Sequence, residues 1–180
     1  STDMLVNKHR SLTQKYVPKD LVSIDSKYAA DNTQKGARIA VNAFISMYKD
    51  AKKEGYDLVI NSSYRSYKDQ EELSQTYRKL YGDSYVERNL PKPGFSEHQT
   101  GLSFDIGSRN SDVFAESDEY EWVEDNAYKY GFIQRFKKKD EAVTGFRAEP
   151  WHYRYVGKKI AKYIYENNIS FEEYYAMFLD

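Results

Sequence analysis

Residues 96–105 read Ser-Glu-His-Gln-Thr-Gly-Leu-Ser-Phe-Asp, a run that passes from a loop into a predicted β-strand. Successive side chains of a strand point to opposite faces of its sheet. One face of this strand is apolar and predicts burial: Leu102, Phe104 and Ile106. The other face carries small residues and one carboxylate: Gly101, Ser103 and Asp105. The pattern therefore predicts a half-buried strand that displays Asp105 among small neighbours, with His98 just before it.

A second polar strand is predicted near the end of the chain, where residues 149–155 read Glu-Pro-Trp-His-Tyr-Arg-Tyr. His152 and Arg154 would share one face of it, because they are two residues apart. Glu149 precedes a proline, which favours extended backbone over helix. The segment therefore differs from the helical H-E-x-x-H pattern, in which two ligands lie one turn apart.

These two segments contain the side chains that a catalytic zinc ion requires. Such an ion takes three ligands from His and Asp or Glu, and it leaves one position for water. A further carboxylate that does not bind the metal must accept the proton of that water. Two histidines, one aspartate and one spare glutamate fit this set. Neighbouring His and Asp side chains that only share a hydrogen bond fit as well, so the residues alone leave both interpretations open.

The remaining sequence predicts an α+β fold with a mainly antiparallel central sheet flanked by helices, since helices and strands do not alternate strictly. Helical periodicity and stop signals indicate helices at about 33–54, 66–81, 117–131, 158–166 and 170–179. Strands are expected at 57–62, 101–106, 132–133 and 151–156, and a loop at 83–97. Residues 1–30 read as an irregular arm packed on a single domain of residues 31–180.

Composition narrows the possible partners. The 180 residues include 27 Lys and Arg, 28 Asp and Glu, and no cysteine, so disulfides and thiolate chemistry are excluded. A net charge of −1 gives no basic face for nucleic acid. No apolar run approaches the ~18 residues that span a bilayer, so we expect no membrane contact by this domain itself. We expect a monomer, and the third histidine, His9, reads as an ordinary polar residue.

Three segments together resemble the VanY and LdcB family of D,D- and L,D-carboxypeptidases. They are Ser-Tyr-Arg-Ser-Tyr-x-x-Gln at 63–70, Ser-x-His-x-x-Gly-x-x-x-Asp at 96–105 and Glu-Pro-Trp-His-Tyr-Arg-Tyr-Val-Gly at 149–157. The segments occur in the family's order, and the similarity runs from about residue 12 to the end. The family belongs to a wider group of zinc peptidases that includes lysostaphin-type enzymes and hedgehog domains. The resemblance implies a hedgehog-like or D-Ala-D-Ala-peptidase-like fold.

The resemblance also implies roles for individual residues. The zinc (Zn²⁺) ligands would be His98, Asp105 and His152. Glu149 would be the general base and then the acid that protonates the leaving amine. Arg65 would bind the terminal carboxylate or the oxyanion of the reaction, for which a guanidinium fork is suited. Further contacts to the peptide are implied for Gln70, Ser96 and Trp151.

Two other positions of the matching segments have no predicted part in the chemistry. Arg154 and Tyr155 are expected to support His152. Ser103 stands where the family usually has alanine, and its small side chain should leave the site intact.

The implied reaction is removal of the terminal D-alanine from peptidoglycan stem peptides, at the cell envelope or outside the cell, with export or anchoring by a segment outside this chain. Two segments have sequences closer to the L,D group, which cuts tetrapeptides, than to the D,D group, which cuts pentapeptides. They are Tyr-Arg-Ser-Tyr and Ser-Glu-His-Gln-Thr-Gly. A non-catalytic zinc module that binds wall peptide is an alternative, although a purely structural site needs no spare Glu149. An endopeptidase that cuts cross-links is another.

Overall fold

A four-stranded antiparallel sheet lies at the centre of the computed structural model, which describes residues 1–180. A separate two-stranded antiparallel sheet precedes it, with strands β1 (Leu21–Ser23) and β2 (Lys35–Ala37). The strands of the central sheet are β3 (Leu58–Ser62), β4 (Ser103–Ser108), β5 (Phe132–Phe136) and β6 (Glu149–Tyr155). Their spatial order is β3-β4-β6-β5, which leaves β4 and β6 as the inner strands.

Seven α-helices flank the sheet. They are α1 (Arg38–Lys53), α2 (Tyr67–Tyr81), α3 (Asp83–Asn89), α4 (Asp118–Asn126), α5 (Glu141–Thr144), α6 (Lys158–Asn167) and α7 (Phe171–Phe178). A short 3-10 helix, Glu97–Thr100, leads into β4. The α+β class and the antiparallel sheet are as the sequence predicted. None of the helices combines the length and apolar character needed to cross a membrane.

The apolar face predicted for β4 is buried against α1. Phe104 and Ile106 have no exposed surface. The Phe104 ring meets Phe44 of α1 at 6.2 Å and Phe132 of β5 at 6.0 Å between centroids. Burying a side chain of this size contributes about 1.5–3 kcal/mol. This packing fixes one face of the inner strands, so their alternate residues must point to the other face.

The opposite face is divided between a smaller core and a polar region. Along β5 and β6, Ile133 lies opposite Arg154 in the ladder. The apolar part is closed by α6 and α7, which contribute Ala161, Ile164, Phe171 and Tyr174. Beyond that cluster, the same face of β4 and β6 carries the polar side chains described below.

Capping and stop signals in the local sequence predicted most helix ends correctly. Ser66 accepts a hydrogen bond from the Asp69 backbone and Asp69 returns one, so α2 begins with the predicted capping box. Ser170 and Glu173 form the same arrangement at α7. Gly131, with φ of +93°, ends the 3-10 turn that follows α4. Side-chain caps and glycine stops act within a few residues, which is why the sequence alone revealed them.

Several predicted boundaries were wrong because longer-range contacts decide them. The helix expected from residue 33 begins only at Arg38, since residues 35–37 pair with 21–23 as strand β2. That pairing also gives the predicted irregular arm a short strand, β1. At Gly36 a Cβ would lie 2.8 Å from the Phe104 ring, so this strand rests directly on the core.

The segment 83–97 was predicted as a loop, but residues 83–89 form α3. Tyrosine packing accounts for this helix, because the ring of Tyr85 lies 4.8 Å from Tyr81 and 6.3 Å from Tyr77 of α2. Strand β5 is also longer than predicted, and the one-turn helix α5 was not expected.

Two glycines with matched backbone conformations offer a test of this packing. Gly131 and Gly55 have φ of +93° and +92°. A Cβ at Gly131 would lie 2.7 Å from the Tyr155 ring, whereas one at Gly55 would meet nothing within 4 Å. We expect Gly55→Ala to lower the free energy of unfolding by about 1–2 kcal/mol through backbone strain alone. Gly131→Ala should cost roughly 1–3 kcal/mol more through overpacking.

Urea denaturation of both variants measures the difference. Equal losses for the two substitutions would show that Gly131 is not packed against Tyr155 as described.

Candidate active site

Strand register brings the first two polar groups of the site together. Asp105 of β4 lies directly opposite His152 of β6. Cross-strand partners point to the same face with their Cβ atoms about 4.5–5.5 Å apart. His98 approaches from the 3-10 helix before β4, where the Ser96 hydroxyl accepts a hydrogen bond from its backbone nitrogen at 3.2 Å. Gly101, with φ of +71°, ends this turn and lets the chain enter the sheet.

The three side chains predicted as metal ligands converge on one point. Asp105 Oδ1 lies 3.3 Å from His98 Nε2 and 3.3 Å from His152 Nδ1. One ligand atom from each residue lies within 4.8 Å of the others. Four-coordinate zinc with bonds of 2.0–2.1 Å places its ligand atoms about 3.3 Å apart. Asp105 Oδ1 is buried and has no hydrogen bond of acceptable geometry, so the three groups fit a shared cation better than one another.

The outer nitrogen of each imidazole has its own partner. His98 Nδ1 lies 2.8 Å from the carbonyl oxygen of Ser63, which can only accept a hydrogen bond. His152 Nε2 lies 2.9 Å from Glu97 Oε1. These partners assign the proton of a neutral ring to the outer nitrogen and leave the lone pair of the inner nitrogen free. Metal-binding histidines generally have such a partner, which fixes the ring and its tautomer.

Glu149 is close to this group without being part of it. Its Oε1 lies 3.9 Å from His152 Nδ1, further than the 3.3 Å between that nitrogen and Asp105 Oδ1, and Glu149 is not one of the three converging residues. Burial raises the pKa of Glu149 and the Asp105 carboxylate raises it further, while His152 and Arg65 oppose the shift. A carboxylate with a raised pKa is a better proton acceptor near neutral pH.

In the protein without metal, the surroundings of the three converging groups shift the pKa of each one. Burial disfavours a charged Asp105, but the two histidines outweigh it and lower its pKa. Burial and the Arg65 charge lower the pKa of His98. Burial also opposes a charged His152, yet contacts with Asp105 and Glu97 raise its pKa to about 9. Without metal, His152 therefore carries the positive charge that balances Asp105.

A cavity of about 430 Å³ opens over these groups. Arg65 lines it, with a buried Nε that has no hydrogen-bond partner and an Nη1 that donates to Ser62 Oγ at 3.4 Å. The backbone nitrogen of Arg65 donates to the His98 carbonyl at 3.1 Å, which ties the arginine to the site. Burial lowers the pKa of Arg65, while Asp105 and Glu149 raise it.

The other predicted substrate contacts lie in different places. Ser96 and Trp151 line the cavity. Gln70 does not; it is buried on α2 and donates to the Pro91 carbonyl at 2.9 Å, holding a segment that does form the wall. His9 is exposed and is not part of the cavity lining.

Sequence reasoning missed the role of Glu97, although the residue lies within the motif at 96–105. Its carboxylate accepts from His152 Nε2 and from two buried arginines, Arg135 and Arg154, each at 2.9 Å. Arg154 thus reaches His152 only through Glu97. The available signal was Arg154 itself, because a guanidinium predicted beside His152 on the inner face required an acidic partner.

Comparison with known proteins identifies the family of this chain. The family described as "VanY: D-alanyl-D-alanine carboxypeptidase" matches residues 33–158. The chain is 42% identical over 179 residues to the putative carboxypeptidase YodJ of Bacillus subtilis (strain 168). The alignment covers 95% of this chain and 66% of the relative. The chain belongs to the VanY family. It spans 51% to 66% of the length of three curated relatives it matches.

Solved structures of VanY-type enzymes have the same fold. The LdcB LD-carboxypeptidase superposes with a TM-score of 0.88 at 42% identity, covering 96% of this chain and 84% of that one. A variant of the vancomycin resistance D,D-pentapeptidase VanY, in complex with Zn(II), gives a TM-score of 0.84 at 27% identity and covers 96% of this chain and 98% of that one. The central sheet and its helices are therefore those of VanY-family carboxypeptidases.

The raised pKa of His152 predicts how the metal-free VanY-family chain responds to pH. Its folded pKa is about 9, above the ordinary 6.5, so its proton stabilises the fold fully below pH 6.5. That stability is lost as the pH rises through 9. In chelator, the free energy of unfolding should fall by up to about 3 kcal/mol between about pH 7 and about pH 10.

Urea denaturation at both pH values measures the loss, with His152→Gln as the control that should lack this component. His98, whose pKa is lowered, titrates below this window. A pH dependence that is the same in the wild type and in His152→Gln would contradict the assigned charge.

Proposed function

We propose that this chain is a zinc-dependent carboxypeptidase that removes the terminal D-alanine from peptidoglycan stem peptides. The observation that carries the proposal is the convergence of His98, Asp105 and His152 at ligand spacing beside a fourth, unshared carboxylate, Glu149. Membership of the VanY family and the Zn(II) complex of a VanY relative support the choice of metal and reaction.

Each side chain has a role that follows from its place. Zinc held by the three ligands would polarise the scissile carbonyl and lower the pKa of a water molecule toward 7. Glu149 accepts a proton from the attacking water and delivers it to the leaving amine, for which its raised pKa is suited. Arg65 binds the substrate's terminal carboxylate through a guanidinium whose Nε has no partner within the protein.

We favour the L,D reaction on tetrapeptide stems. The LdcB LD-carboxypeptidase is 42% identical to this chain, whereas VanYB, solved in complex with D-alanine-D-alanine, is 27% identical. The D,D reaction on pentapeptides is the second candidate, since that complex has a TM-score of 0.86. Either substrate places the site of action at the cell envelope, with stem peptides as the partner and zinc as the cofactor.

An assay of both stems tests the proposal. We expect the zinc-loaded wild type to release one alanine from a tetrapeptide faster than from a pentapeptide, measured by mass spectrometry of the products. Glu149→Gln should lower kcat by about 10²–10⁴-fold, because the proton acceptor is lost. Its zinc content should stay that of the wild type, because Glu149 is not a ligand.

Glu116→Gln is the matched control, since Glu116 is exposed and does not line the cavity. Undiminished turnover in Glu149→Gln would end the proposed mechanism. A wild type that binds zinc but cleaves neither stem would favour the non-catalytic wall-peptide module.

A further inference from the structure

The carboxylate of Glu97 is fully enclosed, and every contact it makes is with a donor. Only 2% of the residue is exposed. Its Oε1 accepts from His152 Nε2 at 2.9 Å and from the Ser103 hydroxyl at 3.1 Å. Its Oε2 accepts from Arg135 Nε and from Arg154 Nη1, both at 2.9 Å. Four donors therefore surround this carboxylate, and two of them belong to guanidinium groups.

The two arginines are themselves held by distant parts of the chain. Arg135 makes a bidentate ion pair with Glu172 of α7 at 2.8 and 2.7 Å. Arg154 Nη2 donates to the backbone carbonyls of Thr2 and Met4 at 3.1 and 2.7 Å. The last helix and the first residues of the chain thus hold the outer ends of the two arginines.

We propose that Glu97 is a positioning residue for the metal site, acting through His152. A carboxylate that is contacted by two guanidinium groups and a hydroxyl acts as an acceptor toward His152 as well, so their hydrogen bond requires a proton on His152 Nε2. The ring is then held with Nδ1 facing Asp105 and the metal position. This inference rests on the metal site proposed above, and it adds that metal affinity depends on a residue that does not touch the metal.

Comparison of two variants with the same chemical change tests this role. Glu97→Gln keeps the shape but replaces one accepting oxygen by an amide, so either His152 or an arginine loses its acceptor. Glu172→Gln perturbs the far end of Arg135 and leaves the Glu97–His152 contact in place. Zinc affinity is measured by competition with a chelating dye, and folding by circular dichroism. We expect Glu97→Gln to weaken zinc binding about 10–100-fold and Glu172→Gln to stay within about threefold of the wild type.

Histidine ¹⁵N chemical shifts of the zinc-loaded wild type give a measurement that needs no variant. They should show a proton on His152 Nε2 and metal on Nδ1. A proton on Nδ1, unchanged zinc affinity in Glu97→Gln, or equal losses in both variants would each overturn the positioning role. A wild type that binds no zinc would overturn the metal site itself.

An independent observation concerns the outer part of the cavity, where two arginines have no acidic partner. Arg88 of α3 and Arg147 of the segment before β6 both line the cavity. Neither is in an ion pair; the only bond of the Arg88 side chain is a weak one from Nε to the Ser84 carbonyl, at 3.3 Å. Arg88 and Tyr85 are three residues apart on α3, so they share a helix face, and both reach the cavity.

The acidic residues that line the cavity all have partners other than Arg88 and Arg147. They are Glu97, Asp105 and Glu149. Glu97 is saturated by its donors, Asp105 faces the two histidines, and Glu149 stands beside His152. The cavity lining therefore has two exposed arginines without an ion-pair partner, in addition to Arg65.

We infer that Arg88 and Arg147 form an anion subsite that selects a carboxylate in the part of the peptide preceding the scissile bond. The inference deepens the proposed function by naming a substrate feature. It favours stem peptides with a free carboxylate on a glutamate or diaminoacid residue over those in which this group is a carboxamide. Charge-assisted hydrogen bonds of this kind fix position as well as affinity.

Two synthetic stems that differ only in carboxylate against carboxamide test the subsite. We expect KM to be about three- to tenfold lower for the carboxylate peptide. Arg88→Gln and Arg147→Gln should each reduce that preference. Lys79→Gln, an exposed charge outside the cavity lining, should preserve it.

Equal KM values for the two peptides in the wild type, or preferences untouched by both arginine variants, would overturn the subsite while leaving the proposed reaction in place. Failure to cleave either peptide would overturn the reaction and the subsite together.

Discussion

The ion cluster around Glu97 is the constraint on which the rest of this structure depends. Transfer of a carboxylate and two guanidinium groups out of water costs several kcal/mol per ion, even after relaxation. The cost is offset only where each oxygen and each N–H group has a partner, and here the partners come from β4, β5, β6, α7 and the start of the chain. Removing one partner would leave a buried charge uncompensated, which costs about 3–5 kcal/mol.

The same cluster connects the fold to the chemistry. Ser103 and Arg154 are partners in the β4–β6 ladder, and so are Asp105 and His152 two residues further along. A register that satisfies Glu97 therefore also brings Asp105 to His152. A one-residue slip would turn all of these side chains to the other face, into the aromatic core around Phe104. The core on one side and the ion cluster on the other thus select the same register, and the geometry of the candidate site follows from it.

Features that depend on neighbours in sequence were predictable, and those that depend on distant partners were not. The alternation of Leu102, Phe104 and Ile106 and the capping box at Ser66 needed only local rules. The motif segments contain the three side chains that converge in the cavity. Strand β2 is formed by pairing with residues 21–23, and α3 by tyrosine packing on α2. Glu97 meets arginines that are 38 and 57 residues away, so no local pattern shows that its charge is buried and paired.

Two carboxylates in one cavity differ in character because their surroundings differ. Asp105 lies 3.3 Å from each of two imidazoles, and its interactions with them lower its pKa despite burial. Glu149 is further from His152, at 3.9 Å. The effect of burial on its pKa exceeds the opposing effects of His152 and Arg65, so its pKa rises. Groups whose environments push their pKa values apart are suited to different tasks. The proposed division between a metal ligand that stays ionised and a base that exchanges protons therefore follows from position, and the ion cluster behind His152 maintains that position.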